Sequence, residues 1–151
     1  MSLAEENYLG KINSYSKEDW KPLLDLIPGI EKTEKFGVMR GGEKDKDGNI
    51  QMPFWDYDEI IELFLHIVYN IPITISFDWC SWDEGRKMAK NKNFNYDTID
   101  IPTKCKLITA IVRNDRFCDG ALLSEFKSGL ILKILKSIEK QVGLLEDYEK
   151  L

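Results

Sequence analysis

Apolar residues recur along this chain at two spacings, and each implies a different kind of element. Residues 4–14 read as a short helix. Ser16 then has the character of an N-cap, with Glu18 and Asp19 suited to the positive end of the helix that follows. Trp20, Leu23, Leu24 and Ile27 fall on one face of it, and Pro28-Gly29 is expected to close it. Phe36–Arg40 and Ile50–Trp55 read as two short strands around the polar, glycine-bearing run 41–49. Asp47-Gly48 is a favoured turn pair, so a hairpin is expected, with Pro53 at an edge or near a strand end.

Asp56 or Asp58 is placed to cap a helix over 57–70 that is apolar around more than half its circumference, and so expected to be substantially buried. Pro72 disfavours helix just before it, which puts the end at Asn70. Ile73-Thr74-Ile75-Ser76-Phe77 alternates strictly and is the clearest strand pattern in the chain; with the hairpin it predicts a sheet of about three strands. A short helix follows over 83–90, then an asparagine- and lysine-rich loop to Pro102. Thr103 is the expected cap of the next helix, whose stripe is Leu107, Ile108, Ile111 and Val112. After a bend at Gly120, one long helix is expected over 121–142. Gly129 inside it costs roughly 1 kcal/mol of propensity, which a close helix crossing would explain. The sum is α+β and mostly helical, with five or six helices and a small antiparallel sheet of two or three strands. One globular domain is expected over residues 1–151, with 41–49 and 91–102 as loops and Met1-Ser2-Leu3 set aside as a cloning remnant.

Composition narrows the function classes. The chain has 151 residues, 43% apolar and 31% charged, which is globular in character. A net charge of −5 speaks against generic nucleic-acid binding, which needs a basic surface. Cys80, Cys105 and Cys118 are odd in number and not closely paired, so reduced thiols and a cytoplasmic setting are expected. No signal pattern and no apolar run of membrane-spanning length is visible, so no membrane association is expected.

Two constellations carry chemistry. FDWCSW (77–82) follows the expected strand, and Asp78, Trp79 and Trp82 would suit a pocket for a flat or cationic ligand. The structural alternative, which is preferred, has the indoles filling core and Asp78 capping a turn or pairing with arginine. In RNDRFCDG (113–120), Asp115 lies four residues after Ile111 and seven after Ile108, so it continues an apolar stripe and must be paired. Arg113 and Arg116 would form an anion site with bidentate donors. The preferred alternative is a polar latch that joins two helices to the FDWCSW turn, with Asp78 or Asp115 paired to arginine. Asp119 is expected to cap the final helix.

Other signals are weaker. Asp45, Asp47, Asn49 and Asp56 match calcium-loop positions, but Ile50 takes the slot that needs glycine, so the turn reading is preferred. His66 is the only histidine, which leaves little for a zinc site with the three cysteines or for a Ser-His or Cys-His pair. There is no P-loop or dinucleotide fingerprint, and neither cofactor nor metal is expected.

MPFWDYDEIIELFLHIVYN, FDWCSW and KLITAIVRNDRFCDGALLSEFKSGLILKILKSI together resemble a family of small prokaryotic and phage proteins known only as a domain of unknown function. The resemblance covers about residues 50–140. Its most specific pieces are Phe77-Asp78-Trp79 with Trp82, and Arg113 with Asp115-Arg116-Phe117 and Gly120. It implies a shared fold and no reaction. Three functions are carried forward. The leading one is a non-catalytic accessory or regulatory protein that binds a macromolecule, either a protein partner or a second copy of itself. The next is a binding module for a small anionic ligand such as a nucleotide, in a pocket lined by Trp79, Trp82, Arg113 and Arg116. The third is a hydrolase or transferase with Asp78 or Asp115 as general base, which requires a carboxylate of raised pKa in that pocket.

Overall fold

The computed structural model describes residues 3–149, with side chains to residue 144. Helices α1 (Leu3–Asn13), α2 (Lys17–Leu24) and α3 (Ile27–Lys32) lead into a two-stranded antiparallel hairpin, β1 (Gly37–Arg40) and β2 (Phe54–Tyr57). Helices α4 (Glu59–Asn70), α5 (Asp83–Lys90), α6 (Ile101–Asp115), α7 (Ala121–Lys127) and α8 (Leu130–Glu149) complete the α+β fold. Among the described residues no helix is long and apolar enough to cross a membrane.

Two helices organise the core. Leu130, Ile131, Ile134, Leu135, Ile138 and Val142 give α8 a buried stripe, on which α2, α3, α6 and α7 pack. Cys105, Leu107, Ile108 and Val112 do the same for α6. Residues 3–35 contribute to this core, because Tyr8, Ile12, Trp20, Leu23, Ile27 and Ile30 are all buried in it. A capping box starts α2: Asp19 N–H donates to Ser16 Oγ and Ser16 N–H to Asp19 Oδ2.

Helices outnumber the expected five or six because two stretches are divided. Pro28-Gly29 does not close the first apolar segment; Pro28 sits in the first turn of α3, where the missing N–H breaks no helical bond. The expected helix over 121–142 is broken before Leu130, where Gly129 has φ +85. A Cβ on Gly129 would meet nothing within 4 Å, so the glycine serves the left-handed break and not a close crossing. The cap of α6 is Asp100, whose Oδ1 accepts from Thr103 N–H, and Asp58 caps α4. Helix α4 is less enclosed than its composition suggests: Ile61, Phe64 and Val68 are buried while Leu63 is exposed.

The strongest strand expectation fails. Residues 73–77 form no strand and pair with none among the described residues, although Ile73 and Ile75 are buried. Side chains of α1, of the α1–α2 connection and of α6 take the place of a ladder. Tyr8 Oη donates to Ile73 O at 2.6 Å, Tyr15 Oη to Pro72 O at 3.0 Å, and Ile75 N–H to Thr109 Oγ1 at 3.4 Å. Period-two burial is therefore present without a sheet, which leaves the hairpin as a two-stranded unit with Gly37 opposite Tyr57 and Arg40 opposite Phe54. Its connection is closed by Asp45, whose Oδ1 accepts from Asp47 and Asn49 N–H.

Lys104 on α6 is fully buried and donates to Gln141 Oε1 at 2.6 Å. Burial pulls its ammonium down to about 8 from 10.5, against the pull of Asp97 and Asp100. Between those values the unfolded chain holds a proton that the folded chain releases, so this group makes stability rise with pH. The buried Cys105 thiol, pushed up to about 12, acts in the opposite direction above pH 9. Urea unfolding of Lys104→Met against wild type between pH 7.5 and 9 should show a gain in wild type that the variant lacks; parallel curves would refute the assignment.

Candidate functional site

The turn that FDWCSW forms after the extended segment leads directly into α5, and its two indoles wall a groove. Trp79 begins a single 3-10 turn, and Trp82 precedes the first residue of α5. Trp82 is held on three sides. Its ring lies on the bare Cα of Gly85, where a Cβ would come within 2.3 Å of it. Phe77 meets it edge-on at 5.6 Å, and Lys106 Nζ stands 6.0 Å from its centre. Trp79 stacks at 6.0 Å with Phe117, which is exposed.

The groove has a volume of about 280 Å³, near the lower end for small-molecule sites. Besides the tryptophans it is lined by Arg86 and Lys90 from α5, Ile111 and Asn114 from α6, and Glu125 from α7. Glu125 is half-buried, and among the described residues its carboxyl forms no hydrogen bond or ion pair. Burial alone raises its pKa above the usual carboxylate range. A second depression, of about 450 Å³, shares Ala89, Lys90 and Glu125 with the first and adds Lys92, Ser128 and Lys133.

Asp115 faces away from this groove. Its Oδ1 accepts from the Tyr57 hydroxyl and from Leu122 N–H at 3.0 Å. Gly120 N–H donates to Tyr57 Oη at 3.0 Å, so one phenol bridges the hairpin to the α6–α7 corner. Burial and then the bond to Asp115 raise the Tyr57 pKa. Asp119 does not cap α7; it accepts from Trp55 N–H at 2.9 Å, and Leu122 N–H in the first turn of α7 is satisfied by Asp115. Gly120 has φ +86, and a Cβ on it would come within 2.4 Å of the Trp55 ring.

The expected constellation therefore separates. Trp79 and Trp82 share the groove, and the two motifs meet there through Trp79 with Phe117 and through Asn114. Among the described residues, neither Asp78 nor Asp115 pairs with an arginine, because the Tyr57 phenol and an α7 backbone amide reach Asp115 first. Arg116 donates to Tyr69 Oη at 3.0 Å and lies over that ring, on the outer side of α4. Arg113 is half-buried and lines neither depression, and the Asp78 side chain is exposed.

Arg86, Lys90 and Glu125 went unnoticed in the sequence. The first two look like the solvent face of a short helix. Glu125 carried a usable signal: it follows Leu122 by three residues on a helix whose other inward positions are apolar. Elsewhere, His66 is exposed and lies 2.7 Å from the Asn70 amide, and of the cysteines only Cys105 is buried. Asp45 is used by backbone amides, as the turn reading requires.

Fold and groove together define a small α+β protein with an aromatic-walled cleft beside a lysine-lined one. The chain belongs to a family of unknown function, DUF6508, whose model matches residues 15–143. That span begins well before the 50–140 covered by the resemblance and takes in α2 and α3. No curated protein and no solved structure matches the chain.

Asp115→Ala should cost about 1–3 kcal/mol, since it leaves a phenol and a backbone amide without their acceptor. Tyr57→Phe should cost less, and the pair in a double-mutant cycle should couple by at least about 0.5 kcal/mol. Denaturant unfolding of the four proteins measures this; simple additivity would show that the bridge contributes nothing of its own.

Proposed function

We propose that the protein is a binding module for a small ligand that combines an aromatic ring with an anionic group. The observation that carries this is the groove itself: a clamped Trp82 facing a half-buried, unpartnered Glu125, with Arg86 and Lys90 at its margin. An indole offers a stacking face for a planar ring. A carboxyl with a raised pKa both donates and accepts hydrogen bonds as its protonation changes, which suits the edge of a heterocycle. Lys90, which has no acidic partner among the described residues, suits a phosphate or carboxylate on the same ligand, with Arg86 beside it in a 3.5 Å contact with Asp83. No second carboxylate lines the groove, which leaves a paired acid and base for hydrolysis without support. Asp78 and Asp115, the general bases first considered, are not among its lining residues.

A macromolecular partner is the second reading. Val38, Met39, Ile50 and Met52 are all exposed on the hairpin and its connection, which is more apolar surface than a two-stranded unit needs. A second copy of the chain or another protein would cover it.

Gly85→Ala tests the first reading, because the added methyl must displace Trp82 while leaving the groove's charged groups unchanged. A nucleotide, nucleoside and aromatic-carboxylate panel should yield at least one compound that raises the melting temperature of wild type by about 5–10 °C at 100 times its dissociation constant. Gly85→Ala should lose at least tenfold in affinity for that compound. A panel without hits, or a hit that Gly85→Ala and Glu125→Gln bind as wild type does, would sink it.

A further inference from the structure

Two adjoining depressions differ in what lines them. One is walled by Trp79 and Trp82; the other is ringed by Lys90, Lys92 and Lys133, and Lys90 and Glu125 belong to both. Three other cations on the same or adjoining helices are paired: Lys136 with Glu31 at 3.4 Å, Lys140 with Asp97 at 2.8 Å and Arg86 with Asp83 at 3.5 Å. Among the described residues Lys90, Lys92 and Lys133 have no acidic partner, and the one polar contact is Lys133 Nζ with Lys92 O at 3.4 Å. Glu125, the only acid lining the second depression, has a carboxyl that burial biases toward its neutral form.

Three exposed lysines line one concavity and their like charges repel, and in a chain of net charge −5 such a grouping is not a by-product of overall charge. An anion of two or more charges relieves that repulsion. Ser128 and Asn91 line the same concavity, but Ser128 Oγ donates to Glu125 O and accepts from Leu130 N–H, and Asn91 Oδ1 accepts from Asn93 N–H, so the lysines are its main polar contribution.

We infer that the ligand of the aromatic groove is a nucleotide with two or more phosphates, its base against the Trp79–Trp82 wall and its phosphate tail in the lysine-lined depression. This deepens the reading of the groove as a site for an aromatic anion and rests on it. A single compact nucleotide fits better than a polynucleotide, because the stacking wall is confined to one groove and the chain as a whole is acidic.

Calorimetric titrations with the four common nucleoside triphosphates, the matching monophosphates and nucleosides, inorganic tripolyphosphate and a short single-stranded oligonucleotide test the inference. The proteins are wild type, Lys92→Ala/Lys133→Ala and Gly85→Ala, with folding checked by circular dichroism. Lys92 and Lys133 are exposed, so the double variant keeps the core intact. At least one triphosphate should bind wild type tenfold or more tightly than its monophosphate. The lysine variant should erase most of that difference and flatten the salt dependence, while Gly85→Ala should weaken both nucleotides alike.

Equal binding of mono- and triphosphate, or a lysine variant that leaves their ratio unchanged, would overturn the inference and spare the aromatic groove. Binding of an aromatic carboxylate without any nucleotide would do the same. Tripolyphosphate that binds as tightly as the triphosphates, with Gly85→Ala indifferent, would overturn the aromatic reading and this inference with it. An oligonucleotide that outcompetes every mononucleotide would replace the ligand class.

Discussion

A carboxylate that continues an apolar stripe has to be satisfied, and how Asp115 meets that requirement sets the geometry of half the molecule. At the last residue of α6 it sits where the helix already presents unpaired carbonyl groups, an unfavourable place for negative charge. The structure resolves this by bringing the amino end of α7 and the Tyr57 phenol onto one oxygen. Tyr57 in turn receives Gly120 N–H, and Asp119 receives Trp55 N–H. The hairpin, the α6–α7 corner and the start of α7 are thus tied by hydrogen bonds that all pass through residues 115–122. Because α7 starts from this node, the position of Glu125, one turn further on, is set by it as well.

What could be read from the sequence divides along a physical line. Period and caps are local, and they gave α2, α4, α5 and α6 with errors of a few residues. The Ile73–Phe77 segment shows where that stops. Its alternation reported correctly that Ile73 and Ile75 face inward, but alternation says nothing about what satisfies the backbone. Tyr8, Tyr15 and Thr109 supply that, from positions 34–65 residues away. Side-chain hydroxyls can satisfy backbone groups as a strand ladder does. Gly129 is a related case: a glycine in an apolar helical pattern admits both a close crossing and a left-handed break, and only the surrounding space decides.

The site was half legible for the same reason. Trp79 and Trp82 drew attention because two indoles at the end of an element are costly to leave without purpose, and both do line the groove. The stripe position of Asp115 calls for a partner, and opposite charge is the only kind of partner a sequence advertises, which points to arginine. A tyrosine 58 residues away and an amide at the next helix start are invisible at that level. Arg86 and Lys90 carry no such signal, because charged residues four apart on a short helix ordinarily face water. Glu125 was the missed clue, an acid among inward-facing apolar positions, much as Asp115 was. The difference is that Asp115 found partners within the protein.

That contrast bears on function more than any motif does. Two acids interrupt apolar stripes at the α6–α7 corner, and one is held by its neighbours while the other faces a groove with none. Burying a carboxyl without a partner costs stability, and a structural role would have removed that cost with a neighbouring donor, as Tyr57 does for Asp115. The lysines around the adjoining depression repeat the pattern with the opposite sign, since nearby cations of α8 are paired and these three are not. Groups of both kinds without a protein partner among the described residues line two adjoining depressions that share Ala89, Lys90 and Glu125. The fold satisfies its polar groups elsewhere, leaving no fully buried side-chain nitrogen or oxygen without a partner among the described residues. The groups lining the cleft are left to solvent instead, and the proposed ligand would take the place of that water.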